Sequence, residues 1–565
     1  MRKENPKSNL IQFKFNNLML KPFFSNIGFY NKLMRPINTV INTNSELYKN
    51  NYQAMLELIK ALDEKKMESL YQGKERHLQK AKSEGKFTAR ERIDLLLDEN
   101  SPFLELLPFA GIAGKNSEGG STSVGGIGLV NDRLIMVISN VGTNKGGSVN
   151  LPTLNKSLRL GEIAFENDLP MINLVESAGA DLTEQAKIFN YGGASFRDIT
   201  RRSKAGIASV SVVFGNSTAG GAYVPGMSDY AIFVKGNAKV FLAGPPLVKM
   251  ATNEVVDDES LGGAEMHSKI SGVSDYLAED ELDGIRIARE IIANLRKPDT
   301  HFIPSNNVDE PLYKAEELLG IVSADIKKPF EAREVIARIV DGSRFSEFKP
   351  EWGNTLVTGW AEIHGYKVGI IANNGVLLSE SANKGAHFIQ LCNRNLTPIL
   401  FLQNITGFMV GRTYEEGAII KNGAKMINAV SNSEVPSITI MMGASYGAGN
   451  YAMNGRAYQP RFLFSYPNSK IAVMGPEQLS GVMEMIQRQA VEKMGGTYDE
   501  DQAKMFRAHL TGEVEKQSNA FYASSQLWDD GVIDPRETRN HLGFCLAVVN
   551  NKPITSNNQY GVFRM

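Results

Sequence analysis

Two glycine-rich turns are the residues of this sequence best suited to chemistry. One is Ser217-Thr-Ala-Gly-Gly221 and the other is Ser445-Tyr-Gly-Ala-Gly449, and each directly follows an apolar run typical of a buried strand. A helix that begins at such a turn presents backbone N–H groups without intrahelical partners, and small side chains let a ligand oxygen approach them. Two such amides form an oxyanion hole, which stabilises negative charge developing on an oxygen.

For either turn alone, close packing of a helix on a strand explains the glycines at least as well. The two turns, however, belong to a longer repeat. Four anchor residues recur at a constant spacing of 228 positions, which predicts tandem copies of one fold and favours a function for the paired turns. The anchor pairs are Pro170 and Pro398, Gly179 and Gly407, Gly215 and Gly443, and Tyr223 and Tyr451.

Other kinds of catalytic site are weakly supported. Gly443-Ala-Ser445-Tyr-Gly447 matches the Gly-x-Ser-x-Gly nucleophile pattern, and Asp534 and His541 follow in hydrolase order, but the sister turn breaks the pattern. His267 and His387 are not spaced as metal ligands, and no phosphate-binding loop is present. The sequence therefore offers no evident side-chain base, so a cofactor or the substrate would have to supply one.

The elements that would position the turns follow an α/β pattern in both halves. Short Val, Ile, Leu and Phe runs bounded by Gly and Pro predict buried strands, and residues 158–167 and 383–394 are typical of helices. Prolines interrupt the periodicity near residues 297–311, which predicts a linker between a first domain at 46–300 and a second at 312–565.

The composition excludes several classes of protein. The 565 residues are 42% apolar with a net charge of -1, which argues against binding nucleic acid through a general basic field. No apolar run is long enough to predict a membrane span. Two cysteines, Cys392 and Cys545, cannot form a disulfide framework or a four-cysteine zinc site, which favours a reducing compartment.

Residues 1–45 form a separate extension with seven basic residues and one acid, Glu4. This pattern is typical of a mitochondrial transit peptide, but it also fits a disordered tail or a misassigned start, with Met19 or Met34 as the initiator. From Ser45, a candidate N-cap, the apolar spacing changes to that of an amphipathic helix.

Several longer motifs resemble the carboxyltransferase (beta) subunits of biotin-dependent acyl-CoA carboxylases, and the branch of methylcrotonyl-CoA and geranyl-CoA carboxylases above all. The resemblance covers residues 46–565 and implies two tandem crotonase-like domains. The motifs are Thr218-Ala-Gly-Gly-Ala-Tyr-Val-Pro225, Val240-Phe-Leu-Ala-Gly-Pro-Pro-Leu-Val248, Phe401-Leu-Gln-Asn-Ile-Thr-Gly-Phe-Met-Val-Gly-Arg412, Trp528-Asp-Asp-Gly531 and Gly561-Val-Phe-Arg-Met565.

The resemblance also implies roles for the turns and explains the missing base. Amides at Gly220 and Gly221 would hold the acyl thioester oxygen, and amides at Gly447 and Ala448 would hold the biotin ureido oxygen. Carboxybiotin would release carbon dioxide and its ureido nitrogen would remove the substrate proton, with no metal in this chain. The substrate-binding positions it implies are Ala178, Gly179, Gly192, Gly193, Thr218, Ala219, Gly407 and Phe408.

The acyl pocket departs from that of methylcrotonyl enzymes. Those enzymes have a longer loop with an aromatic residue, where this chain has the shorter stretch 190–194. Gly192 takes the aromatic position, as in the geranyl branch, which predicts a pocket open to acyl groups longer than methylcrotonyl.

The biotin must arrive on another subunit, because the chain has no Ala-Met-Lys-Met attachment sequence and no ATP-binding carboxylase region. The family implies a partner alpha subunit that carries both, a hexamer with each site between two protomers, and, for the methylcrotonyl branch, leucine degradation. The compartment would be the cytoplasm, or the mitochondrial matrix if the extension is a transit peptide. The alternatives are the carboxyltransferase of a biotin-dependent decarboxylase, a non-catalytic scaffold paralogue and, less favoured, a crotonase-type hydratase.

Overall fold

The chain forms two mixed β-sheets, one in each half. The structure is a computed structural model that describes residues 34–112, 120–296, 308–496 and 498–565. In each sheet an antiparallel edge continues into a parallel centre. The α/β fold and the tandem duplication predicted from the sequence are confirmed.

The first sheet has the strand order β1-β2-β3-β4-β5-β6-β8, with β7 paired to the far end of β5. Its strands are β1 (Leu104–Glu105), β2 (Ser123–Val130), β3 (Arg133–Asn140), β4 (Met171–Ser177), β5 (Ser209–Thr218), β6 (Tyr230–Val234), β7 (Lys239–Phe241) and β8 (Tyr276–Ala278). The helices of this half are α1 (Glu46–Ser69), α2 (Glu75–Ser83), α3 (Ala89–Leu96), α4 (Leu151–Glu166), α5 (Gln185–Lys204), α6 (Tyr223–Met227), α7 (Pro245–Thr252), α8 (Asp258–Gly262), α9 (Ala264–Met266) and α10 (Glu281–Asn294).

The second sheet has the order β14-β13-β12-β11-β10-β9, with β15 paired to the far end of β13. Its strands are β9 (Ser346–Glu347), β10 (Leu356–Ile363), β11 (Tyr366–Asn373), β12 (Ile399–Ile405), β13 (Ser437–Tyr446), β14 (Phe462–Ser465) and β15 (Lys470–Ala472). The helices are α11 (Leu318–Ile321), α12 (Ala332–Ile339), α13 (Ser379–Arg394), α14 (Arg412–Glu416), α15 (Ile419–Ser431), α16 (Gly447–Ala452), α17 (Pro476–Lys493), α18 (Glu500–Ser518), α19 (Ala520–Ser525) and α20 (Thr538–Val549).

The duplication extends to buried polar contacts that the sequence comparison did not reveal. Arg90 on α3 holds Glu105 on β1 with two hydrogen bonds, and Arg333 on α12 holds Glu347 on β9 in the same way. A hydroxyl pair likewise joins the residue before a strand to a helix in both halves, Thr122 to Thr153 and Thr355 to Ser381. Such matched side-chain pairs indicate that the two halves share a core design as well as a topology.

The N-terminal part of the described chain is bound to the second half. The backbone of Ile37 donates to the carbonyl of Ser343, and both Thr39 and Val40 donate to the carboxylate of Glu334. Residues 37–40 of the predicted extension thus contact α12 and Ser343, whereas residues 1–33 lie outside the described residues. Ser45 caps α1 by accepting from the amide of Tyr48, as predicted.

The predicted linker at 297–311 lies mostly outside the described residues, which resume at residue 308. The domain boundaries at 45, 300 and 312 stay predictions. No helix in the described part of the chain combines the length and apolar character of a membrane span.

A buried ion cluster joins the two halves. Asp530, fully buried in the second half, accepts from Arg159 on α4 at 3.0 and 3.2 Å and from Arg456 at 2.8 Å. Burial acts to raise the pKa of Asp530, but Arg159 and Arg456 outweigh it and hold that pKa below its usual value. The cluster borders a hydrophobic core to which both halves contribute, so the halves pack as one body.

We predict that Asp530→Asn strongly destabilises the protein, because it removes the fully buried negative charge that Arg159 and Arg456 share. Removing one partner of a buried ion pair costs about 3–5 kcal/mol. Denaturant unfolding followed by circular dichroism should show a clearly lower midpoint. Glu162→Gln is the matched control, because Glu162 binds the same Arg159 at 2.7 Å but its side chain is 40% exposed, so its loss should cost roughly 0–1 kcal/mol. Equal shifts for the two variants would contradict the prediction.

Candidate active site

Both glycine-rich turns lie where a central parallel strand ends. We call residues 219–221 the first turn and residues 447–449 the second turn, each of which directly follows its strand. The first joins β5 through a 3-10 segment, Ala219–Ala222, to α6, and the second joins β13 directly to α16. The carboxyl ends of parallel strands are where α/β sheets place their ligands.

The strand register beside the two turns is the same. A bulge between Val175 and Ser177 lets Ser177 pair with Ser217, and the equivalent bulge after Gln403 lets Ile405 pair with Ser445. A short strand, β7 or β15, then pairs with the last residues before each turn. The backbone that leads into each turn is therefore held on both sides.

Each turn begins with a residue in the left-handed conformation. Ala219 has φ 52° and its counterpart Gly447 has φ 54°. A left-handed alanine costs roughly 1–2 kcal/mol, and strained residues of this kind cluster at functional sites. Neither Thr218 nor Tyr446, the residues before them, caps the turn with its side chain. The first amides of each turn are thus not capped by the side chain of the preceding residue.

A glycine loop from the neighbouring strand approaches each turn. Gly179 has φ 89°, and a Cβ there would lie 2.9 Å from the carbonyl oxygen of Thr218. In the second half, a Cβ at Gly449 would lie 3.1 Å from the Cα of Gly407, which has φ 134°. Glycine is required at these contacts because no side chain fits between the two backbones.

The structure brings the predicted residues together as two groups. Gly179 faces the first turn, where Ala219 and Gly220 are exposed and the preceding Thr218 is half-buried, whereas the neighbouring Ala178 is exposed and contacts Gly146. In the second group, Gly407 faces the second turn, where Ala448 is exposed and Gly447 half-buried, and Phe408 packs its ring against Gly423 of α15.

The remaining predicted positions, Gly192 and Gly193, lie on α5. Phe196, one helical turn further along, approaches the position of a Gly220 Cβ to 3.3 Å. Gly192 therefore shares the helix face that is turned towards the first turn. A Cβ at Gly192 or Gly193 would meet nothing within 4 Å, so both glycines border open space.

A buried hydrogen-bond chain beneath the second turn was not singled out from the sequence. Ser445 donates its hydroxyl to Gln403 Oε1 at 2.6 Å and accepts from Asn450 Nδ2 at 2.7 Å. The only signal in the sequence was a glutamine within the otherwise apolar run of β12. These contacts use the Ser445 hydroxyl for structure and do not support the nucleophile hypothesis, since Asp534 pairs with Arg536 and His541 lies near the carbonyl of Glu537.

The two histidines considered as ligands have structural contacts. The ring nitrogens of His267 lie 2.7 Å from the Ser271 hydroxyl and from the Val240 carbonyl. Burial, and then the charge of Lys349, lower the pKa of His387. Within the described residues, no three His, Cys, Asp or Glu side chains gather closely enough to hold a metal ion.

Burial also affects the residue that leads into the second turn. It raises the pKa of Tyr446 to about 12, with a smaller contribution from the charge of Glu515. The phenol therefore stays protonated at neutral pH and adds no negative charge of its own beside the second turn.

Comparison with known proteins agrees with this geometry. Residues 80–562 match the family model of the carboxyl transferase domain. A probable biotin-dependent acyl-coenzyme A carboxylase beta2 subunit of Mycobacterium tuberculosis is 53% identical over 94% of this chain and 100% of its own length. The mitochondrial methylcrotonoyl-CoA carboxylase beta chain of Dictyostelium discoideum is 46% identical, over 94% of this chain and 91% of its own.

Among solved structures, the beta subunit of geranyl-CoA carboxylase from P. aeruginosa has a TM-score of 0.85 and 42% identity, over 94% of this chain and 99% of that one. The two parallel-rich sheets are accordingly two tandem crotonase-like domains. The chain belongs to the carboxyl transferase domain family, as the carboxyltransferase of a biotin-dependent acyl-CoA carboxylase similar to the methylcrotonoyl-CoA and geranyl-CoA members.

Proposed function

We propose that the first turn binds the acyl-CoA thioester and that the second turn binds the biotin of a partner subunit. The observation that supports this division is the pair of matching turns, each starting at a left-handed residue and each without a side-chain cap. Amides at Gly220 and Gly221 hold the thioester oxygen, and amides at Gly447 and Ala448 hold the ureido oxygen.

The space beside the second turn fits a planar ring that approaches the backbone. A Cβ at Gly407 would meet nothing within 4 Å, and Ala448 is exposed. When bound, carboxybiotin supplies the carboxyl group and the ureido nitrogen that takes the substrate proton. The chain's own contribution is to orient that group and to place hydrogen-bond donors at its oxygen, which removes the need for a side-chain base.

The first turn acts on the substrate. Loss of the γ proton from a 3-methyl-2-enoyl thioester gives an extended dienolate, which places its charge on the thioester oxygen. Amides at Gly220 and Gly221 become more favourable partners as that charge develops. Removing an oxyanion-hole donor costs about 3–4 kcal/mol in transition-state stabilisation.

The substrate we propose is an acyl-CoA with a chain longer than methylcrotonyl, of the geranyl type. Gly192 and Gly193 leave open space on the face of α5 that is turned towards the first turn. Ala178, Gly179, Thr218 and Ala219 would then border the thioester end of the same pocket, where three of the four lack a side chain larger than methyl.

The partners we propose are a biotin-carrying alpha subunit and further copies of this chain. Exposed apolar side chains lie near both turns: Phe189 and Tyr191 on α5 are 84% and 66% exposed, and Val410 and Ile420 in the second half are each 75% exposed. Apolar surface of this kind marks an interface. We propose a hexamer in which the first half of one chain covers the second half of another, in the cytoplasm or, with a cleaved leader, in the mitochondrial matrix.

The experiment that tests the proposal uses the purified chain, biocytin and carboxylated acyl-CoAs, among them 3-methylglutaconyl-, carboxygeranyl-, methylmalonyl- and malonyl-CoA. We expect biocytin-dependent decarboxylation of the first two substrates. Decarboxylation of an acyl-CoA without biocytin would point to a different decarboxylation chemistry. A folded oligomer that decarboxylates none of the acyl-CoAs would favour the alternative that the protein is a non-catalytic scaffold.

We predict that Gly447→Val lowers the biocytin-dependent rate by about 10²–10³-fold, because a β-branched residue at φ 54° displaces the amides of the second turn. Its Cβ would also lie 3.0 Å from the carbonyl oxygen of Val473. Gly85→Val is the control, since Gly85 also has positive φ, at 72°, but lies in open space between α2 and α3. A similar loss of rate in the control would show that strain alone causes the effect.

We predict that Gly192→Phe restricts the enzyme to substrates with short acyl chains. The ring fills the space beside the first turn, so decarboxylation of carboxygeranyl-CoA should fall at least tenfold relative to that of 3-methylglutaconyl-CoA. Asn190→Phe places the same ring about 200° around α5 and should leave the ratio of the two rates unchanged. If wild-type activity collapsed for every acyl chain above five carbons, the open-pocket proposal would be wrong.

We predict that the purified chain has the mass of six copies in analytical ultracentrifugation, because the apolar side chains near both turns need a cover. Replacing Phe189 and Val410 by Lys should shift the distribution to smaller species. A wild-type chain that sediments as a monomer at micromolar concentration would contradict the shared site.

A further inference from the structure

The two turns share the left-handed first residue and the strand register, but different side chains pack beneath them. Beneath the second turn, the fully buried Gln403 and Ser445 and the buried Asn450 form one hydrogen-bond chain. Gln403 also donates through Nε2 to the carbonyl of Met453 at 2.5 Å. This chain of hydrogen bonds therefore joins β12, β13, α16 and the segment that follows α16.

The local backbone is shaped around Asn450. The amide of Gly455 donates to the carbonyl of Asn450 at 2.8 Å, and a Cβ at Gly455 would lie 2.0 Å from Asn450 Oδ1. Only glycine leaves room there for the asparagine side chain. This fixes the rotamer in which Nδ2 reaches Ser445.

The first turn has an apolar version of the same positions. At the spacing of 228 residues, Gln403 corresponds to Val175 and Asn450 to Ala222, and both of these belong to one hydrophobic cluster. Ser217, the counterpart of Ser445, donates instead to the carbonyl of Gly221 at 2.9 Å. The strand–turn–helix unit thus forms without the glutamine and the asparagine, so the fold alone does not require them.

Polar and apolar supports differ in what they fix. Apolar packing tolerates small sliding of a helix, whereas hydrogen bonds fix direction as well as distance. A buried chain of satisfied bonds also rigidifies its surroundings, because each broken bond leaves a desolvated polar group. Asn450 lies on α16 three residues after Gly447, so its bond to Ser445 fixes the rotation of the helix that carries the second turn.

We propose that Gln403 and Asn450 are positioning residues, which act through Ser445 to orient the amides of the second turn for the biotin half of the reaction. The inference rests on the proposed function, because it takes the second turn as the biotin site. The first turn, where the acyl-CoA part of the reaction is proposed to occur, has no equivalent chain of hydrogen bonds. Its support comes from the apolar packing of Val175 and Ala222.

The test rebuilds the second turn with the residues of the first. The double variant Gln403→Val, Asn450→Ala keeps Ser445, and the first half shows that valine and alanine at these positions are compatible with a strand that ends in a left-handed residue and a helical turn. We expect kcat/KM for biocytin to fall at least tenfold, with the KM for the carboxylated acyl-CoA changed less than twofold and the oligomeric mass unchanged. Ser217→Ala is the matched variant, for which the acyl-CoA parameters should change more than those of biocytin.

Unchanged biocytin kinetics in the double variant would overturn the inference. So would a parallel rise in both KM values together with a lower thermal midpoint, since that is the result of a merely structural role. If the double variant fails to fold, the single variant Asn450→Ala is measured with the same two criteria. A wild-type protein without biocytin-dependent activity would overturn the proposed function itself. A fully active wild type together with a double variant whose biocytin kinetics are unchanged would overturn this inference alone.

Discussion

Both candidate sites depend on one backbone constraint, the reversal of the chain into a left-handed residue at the end of a central parallel strand. Ala219 and Gly447 provide that reversal at nearly the same φ. It turns the backbone from strand into helix within one residue, so that the next amides start a helical turn without a side-chain cap. The glycine loops at Gly179 and Gly407, the bulges in the neighbouring strands and the short strands β7 and β15 all hold this reversal in place.

The two halves repeat the same strand and helix arrangement but differ in the side chains that lie beneath the turns. The paired contacts Arg90–Glu105 and Arg333–Glu347 lie far from the turns and are the same in both halves. Directly beneath the turns the halves differ, with a hydrophobic cluster in the first and a hydrogen-bond chain in the second. The same strand–turn–helix arrangement therefore tolerates either an apolar or a hydrogen-bonded interior.

The two domains do not act as separate bodies. Asp530, which is fully buried, binds Arg159 from the first half and Arg456 from the second. Burial of these charges is stable only because they meet, so the cluster fixes the orientation of one sheet against the other.

The sequence by itself determined the fold class, the duplication and the position of both turns. Strand patterns and glycine clusters are local, and a fixed spacing of 228 residues is visible without coordinates, because each copy folds by the same short-range rules. The family motifs were also local, and they gave the activity class that the comparisons show.

Only the tertiary structure decided how the turns are supported. Gln403 and Asn450 lie 47 positions apart and meet through Ser445, and Asp530 meets Arg159 from the other half of the chain. From the sequence, residues 34–45 were predicted to belong to a separate extension. The residue that Thr39 and Val40 contact, Glu334, is about 300 positions away along the chain. Contacts of this range depend on how the elements pack, and a single sequence carries no local pattern that records them.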